Sequence, residues 1–173
     1  MPNVVLVIDM VKGFLEPGHN LYCGEESRKI IPRVYGLLEL ERAAGSDILF
    51  ISDHHDPDDL EFQLFPVHCV KGTSEPDVIS ELDVFLTGDN VIPKNRYSGF
   101  FNTPLEVKLA DINPEKIIIC GVCTDICVLH TASDARNRDY SVEVPSGCVA
   151  SFKPDAHEWA LSHLKDILGV KVV

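Results

Sequence analysis

The chain has 173 residues, 45% hydrophobic and 24% charged, which is ample for a buried core and ordinary for a globular protein. A formal net charge of −12 argues against nucleic acid or an anionic membrane surface as a partner. No apolar run approaches the length that spans a bilayer, so no membrane association is expected.

The opening residues, Met1-Pro2-Asn3, lack the basic stretch of a secretory signal, and a cytoplasmic address is expected. The six cysteines then read as reduced thiols and not as a disulfide framework. Residues 4–8 form a continuous apolar run, the pattern of a central parallel strand closed by Asp9. A carboxylate there is either a site residue or a solvated turn aspartate. Phe14 follows in a segment where an aromatic ring usually just packs. Residues 25–44 carry helical spacing, with Pro32 near the start and Gly45 at the end. Residues 47–52 form the second strand.

A chemically dense stretch follows. Asp53 and His55 are two apart, so an extended backbone points them the same way. Glu61 and His68 can return to them through a loop. Two imidazoles with two carboxylates suit zinc, iron or manganese; the alternative is an acidic surface loop with incidental histidines. Residues 77–86 predict a short helix. Residues 90–94 predict a short strand, at an edge or end because of Pro93. Lys94 ends it, and a lysine is ordinarily solvated. Thr103 and Glu106 have capping-box spacing for a helix to about residue 110.

Residues 117–119 are a β-branched run that leads through Cys120 and stops at Gly121, followed by Thr124 and Asp125 as helix-start chemistry and a helix to about residue 137. Cys127 falls in its first turn, where the helix dipole favours a thiolate. It is either a nucleophile or a packing thiol. The spacing Cys120-x2-Cys123-x3-Cys127 also resembles a zinc thiolate site, although Cys120 lies inside a buried strand and the local sequence offers no fourth ligand. Residues 142–145 form a fifth strand, residues 154–168 a helix, and residues 170–173 a sixth strand. The alternation predicts one α/β domain, residues 1–173, with a mostly parallel six-stranded sheet.

The chain resembles the nicotinamidase branch of the isochorismatase-like cysteine hydrolases over essentially its whole length. The likeness rests on V-I-D-M with Phe14, on D-H-H with L-F-P-V-H-C-V-K-G-T, on P-K-N-R-Y-S-G-F and on G-V-C-T-D-I-C-V-L-H-T-A. It implies a three-layer, doubly wound sheet with helices on both faces and hydrolysis of nicotinamide to nicotinate and ammonia, in NAD salvage. It implies a triad of Asp9, Lys94 and Cys127, with the backbone N–H groups of Cys123 and Cys127 as an oxyanion hole beside a cis peptide between Val122 and Cys123. It implies one divalent metal, zinc foremost with iron or manganese possible, on Asp53, His55, Glu61 and His68. Phe14, Phe65 and Tyr97 would hold the ring, and a homo-oligomer is implied. The sequence departs from the family pattern with His54 and Phe65 where tryptophan is frequent, and with Cys123 where a small or aliphatic residue is usual. The first two bear on substrate fit. The rival functions are an amidase of the same family acting on a carbamoyl or ureido compound, and a non-enzymatic metal-binding protein.

Overall fold

The computed structural model describes residues 2–173. Its sheet contains β1 (Val4–Ile8), β2 (Asp47–Asp53), β3 (Val91–Lys94), β4 (Ile117–Val122), β5 (Val142–Val144), β6 (Val149–Ala150) and β7 (Lys171–Val172). The strands run in the order β3-β2-β1-β4-β5-β7, with β6 paired to β4. Every pairing between these strands is parallel.

The sheet has seven strands where the sequence predicts six. The extra one is β6, two residues long and too short to carry a period. It arises because β5 pairs only with the first half of β4, at Ile117 and Ile118. A 3₁₀ turn, Ser146–Cys148, then returns Val149 and Ala150 to Gly121 and Val122. Accordingly β4 does not stop at Gly121 but continues through Val122. Gly121 has φ 113°, and a Cβ there would sit 2.0 Å from the Ile8 carbonyl oxygen. Glycine serves this close approach of β4 to β1 and does not punctuate the strand.

The helices are α1 (Lys12–Leu15), α2 (Glu25–Arg28), α3 (Ile31–Ala43), α4 (Leu105–Ile112), α5 (Leu129–Arg136) and α6 (Pro154–Asp166). The helix expected over residues 25–44 is therefore two. Pro32 lies in the first turn of α3, and without an N–H it cannot continue a helix arriving from Arg28. The expected helix at residues 77–86 is a 3₁₀ segment, Ser80–Phe85. Before α4 the Thr103 hydroxyl accepts from the Leu105 amide at 3.2 Å, and Asn113 ends the helix in a left-handed turn.

β1 is buried throughout and divides the core by the pleat. Val5 and Val7 pack with Val34 and Leu38 of α3 on one face. Leu6 and Ile8 pack with residues of α4, α5 and α6, such as Leu109, Ala132 and Leu164, on the other. This gives the three layers. From β1 the chain builds outward through β2 and β3, and then in the opposite direction from β4. The crevice at the carboxyl ends of β1 and β4 is thus the switch point where open α/β sheets place ligands. Among the described residues, no helix is long and apolar enough to cross a membrane.

Candidate active site

Asp9, Asp53, Lys94 and Cys127 meet at that crevice. Asp9 follows β1 with φ 50°, a left-handed conformation that aspartate tolerates better than most residues. Its Oδ1 accepts from the Asp53 amide at 2.8 Å. Lys94 closes β3 opposite Asp53 on β2. Its Nζ lies 2.9 Å from Asp9 Oδ2 and 3.5 Å from Cys127 Sγ, and donates to Asp53 Oδ1. The lysine is 3% exposed, against the solvated position usual for its type, because two carboxylates and a thiol replace its water. Asp9 Oδ2 is buried without a hydrogen-bond partner. It is near the ammonium but not along a hydrogen-bond direction, which leaves a lone pair able to take a proton.

The charges follow from this packing. Burial and the neighbouring Asp53 charge raise Asp9 to about 6, against the pull of Lys94. Burial alone would lower Lys94, but Asp53 and Asp9 hold it well above its ordinary value. The same lysine pulls Asp53 below the usual carboxylate range, more than offsetting its burial. Burial pushes the Cys127 thiol well up, with Lys94 opposing and the two carboxylates reinforcing. These surroundings thus favour the neutral thiol over the thiolate. The thiolate suggested by helix position is not what this surrounding stabilises. Cys127 sits in a single π turn, Thr124–Val128, ahead of α5. The peptide between Val122 and Cys123 is cis.

Asp53, His55, Glu61 and His68 also come together, with one donor atom from each lying within 4.8 Å of the others. Asp53 Oδ2 is 3.5 Å from His55 Nε2 and 3.6 Å from His68 Nε2, and His68 Nε2 is 3.8 Å from Glu61 Oε1. Tetrahedral bonds of about 2.1 Å set neighbouring donors about 3.4 Å apart. The spacing therefore fits a divalent cation after small closure. The His55 Nε2 atom is fully buried and has no hydrogen-bond partner, as a nitrogen reserved for a cation would be. The mixed nitrogen and oxygen donors suit zinc, iron or manganese. A second grouping, Asp9, Asp53 and Cys127, already surrounds the Lys94 ammonium. Neither grouping contains Cys120 or Cys123. Cys120 points its thiol at the Leu6 carbonyl within the sheet, and Cys123 packs against Cys23 at 3.7 Å. The three-cysteine zinc site is thus not assembled.

A small, half-open cavity adjoins both groups. Phe14, Phe65 and Tyr97 form its aromatic walls, with Phe65 and Tyr97 perpendicular at 6.3 Å. Asp9, Cys123 and Cys127 open onto it, as do Asp53, Glu61 and His68, whereas His55 lies fully buried behind. Val122, Leu21, Ile126 and Phe152 complete the lining, and the last three escape sequence reading. Ile126 belongs to the Cys127 turn and could have been inferred. Leu21 and Phe152 come from irregular segments with no period to place them. His54 lines a different groove with Lys12 and Asp77, because successive residues of an extended segment face opposite ways. Its departure from tryptophan therefore does not touch this cavity. Asp59, also unforeseen, hydrogen-bonds His55. The only sequence signal for it is an aspartate placed to cap the segment that carries Glu61.

The chain matches the isochorismatase domain model over residues 3–172, and it belongs to the isochorismatase family. It is 36% identical, over 99% of both chains, to the uncharacterized isochorismatase family protein PncA of Bacillus subtilis (strain 168). The structure of a pyrazinamidase/nicotinamidase from Streptococcus mutans UA159 superposes with TM-score 0.93 at 33% identity, covering 99% of each chain. That of the pyrazinamidase of Pyrococcus horikoshii in complex with zinc superposes with TM-score 0.89 at 30% identity, covering 100% of this chain and 99% of the other. The protein is thus a hydrolase of that family, built on its parallel α/β fold.

Proposed function

We propose that the protein is a nicotinamidase, hydrolysing nicotinamide to nicotinate and ammonia in NAD salvage. The observation that carries the reading is one small aromatic-walled cavity with Cys127, Asp9 and Lys94 on its lining or directly behind it, and a four-donor cation cluster beside them. Similarity to solved nicotinamidases supports it.

Cys127 is the nucleophile. Asp9 takes the thiol proton through its unpartnered Oδ2 as sulfur attacks the amide carbon. The backbone N–H groups of Cys123 and Cys127 hold the resulting oxyanion. As the carbon–nitrogen bond breaks, Asp9 returns the proton to the departing ammonia and a thioester remains. Water then adds with its proton passing to Asp9, the acid is released, and the proton returns to sulfur. Lys94 keeps the two carboxylates ionised and stabilises negative charge on sulfur. Phe14, Phe65 and Tyr97 hold the ring. Asp53, His55, Glu61 and His68 would hold a divalent cation, zinc foremost, whose positive charge binds and orients the pyridine nitrogen. A single domain, a homo-oligomer and a cytoplasmic address belong to the same reading.

The test is ammonia release from a panel of nicotinamide, pyrazinamide, carbamoyl and ureido compounds, with and without chelator. Nicotinamide should be the preferred substrate and chelation should suppress its turnover. Preference for a carbamoyl or ureido compound would overturn the assignment. Cys127→Ala should abolish ammonia release with metal content unchanged, and retained turnover would remove Cys127 as nucleophile.

A further inference from the structure

Asp59 donates nothing to the cavity, yet its carboxylate carries more bonds than any other near the site. Oδ2 accepts from His55 Nδ1 at 2.9 Å, and Oδ1 accepts from the Glu61 amide at 2.9 Å. Arg96 Nη1 donates to both oxygens, at 2.9 and 3.2 Å. The Asp59 side chain is 5% exposed. We propose that Asp59 is a positioning residue of the cation centre, placing two of its four donors without ligating: His55 through the imidazole, and Glu61 through the backbone. The inference rests on the reading of Asp53, His55, Glu61 and His68 as a divalent-cation site.

Donors and acceptors decide which face His55 turns to the cluster. A neutral imidazole can present either an N–H or a lone pair from Nε2, and the bond made by Nδ1 selects which. A carboxylate only accepts, so it holds the proton on Nδ1 and leaves the Nε2 lone pair facing the cluster. That nitrogen is buried, unpartnered and 3.5 Å from Asp53 Oδ2. His68 receives the same service from the backbone, its Nδ1 lying 2.7 Å from the Pro66 carbonyl oxygen. His55 therefore depends on a side chain where His68 does not. The other Asp59 bond is a cap on the 3₁₀ segment Leu60–Gln63, whose second residue is Glu61. Arg96 pairs with the Asp59 carboxylate and also lies 3.9 Å from Glu61 Oε2, so it holds both acidic groups in place.

The same pattern supplies a substitution that separates positioning from folding. In Asp59→Asn the amide oxygen must face Arg96 and the Glu61 amide, because both are donors. The amide N–H₂ is then left facing His55 Nδ1, where it favours the tautomer with hydrogen on Nε2. The cap survives and the cation-binding lone pair does not. Full-length protein stripped with chelator is titrated with cobalt(II), following the d–d absorption, and with zinc in competition. The parent should bind one equivalent. Asp59→Asn should keep its metal-free unfolding midpoint, bind about 10–100-fold more weakly and show altered d–d bands. Unchanged affinity and bands in Asp59→Asn overturn the proposal. If Asp59→Asn does not fold, Asp59→Ser keeps a capping oxygen but does not reach the imidazole, and it should show the same weakening. His55→Ala is the control for the underlying site: if it binds cobalt as the parent does, the cation-site reading itself is wrong.

Discussion

A value near 6 places Asp9 where a group that takes a thiol proton and returns it near neutrality should titrate. In the proposed mechanism the carboxyl must be ionised to act, so kcat/KM should fall about tenfold per pH unit below about pH 6, as a pH–rate profile would register. The stability effect has the opposite sense. A carboxyl raised on folding is disfavoured as an anion above its folded value, and that cost disappears as pH falls below the unfolded one. Asp9→Asn keeps an oxygen for the Asp53 amide. It should therefore abolish ammonia release while its unfolding midpoint at pH 7 is no lower than the parent's. His55 runs the other way: burial lowers it, but Asp53 and Asp59 more than compensate and raise it. A cation must displace that proton, so zinc affinity should increase as pH rises from 6 to 8, measured by chelator competition. At this scale residue types at strand ends are readable in sequence. Protonation states are not, because they depend on burial and on neighbours far apart in the chain.

The strands supply the geometry these residues need. Ile8 of β1 pairs with Ile51 of β2 and Gly121 of β4, so the residues that follow each strand emerge side by side. Gly121 makes the tightest approach in this arrangement. A Cβ there meets the Ile8 backbone at N, C and O, all within 3 Å. Gly121→Ala should therefore cost on the order of 3–5 kcal/mol in urea unfolding. It should also lower turnover, since the residue pushed aside directly precedes Asp9. The glycine is conspicuous in the sequence and suggests a strand end, but β4 continues through Val122. Only the neighbouring strand explains it.

For the whole molecule, the proposed cation site would link function to stability. Its four donor residues come from β2 and from the segment leading to His68, and they converge only in the folded chain. Zinc at about 100 times its dissociation constant should add about 2.7 kcal/mol of stability. For a chain of this length that corresponds to roughly 5–10 °C in Tm. Chelator should reverse the shift in the parent, and His55→Ala should show none. Differential scanning calorimetry of the two proteins with and without metal measures both.

The apolar run at residues 4–8, the β-branched run at residues 117–119 and the alternation between them make a parallel α/β sheet legible from the chain alone, since burial on both faces leaves a local signature. The order of Asp9, the Asp53 to His68 stretch, Lys94 and Cys127 points in the same way to cysteine hydrolase chemistry. The seventh strand, the lining by Leu21 and Phe152, the turning of His54 away from the cavity, the neutral thiol and the carboxylate of Asp59 behind His55 carry no such mark. Each depends on contacts between segments distant in sequence. Such contacts follow from the packing of the sheet and its loops, and not from any local period or motif.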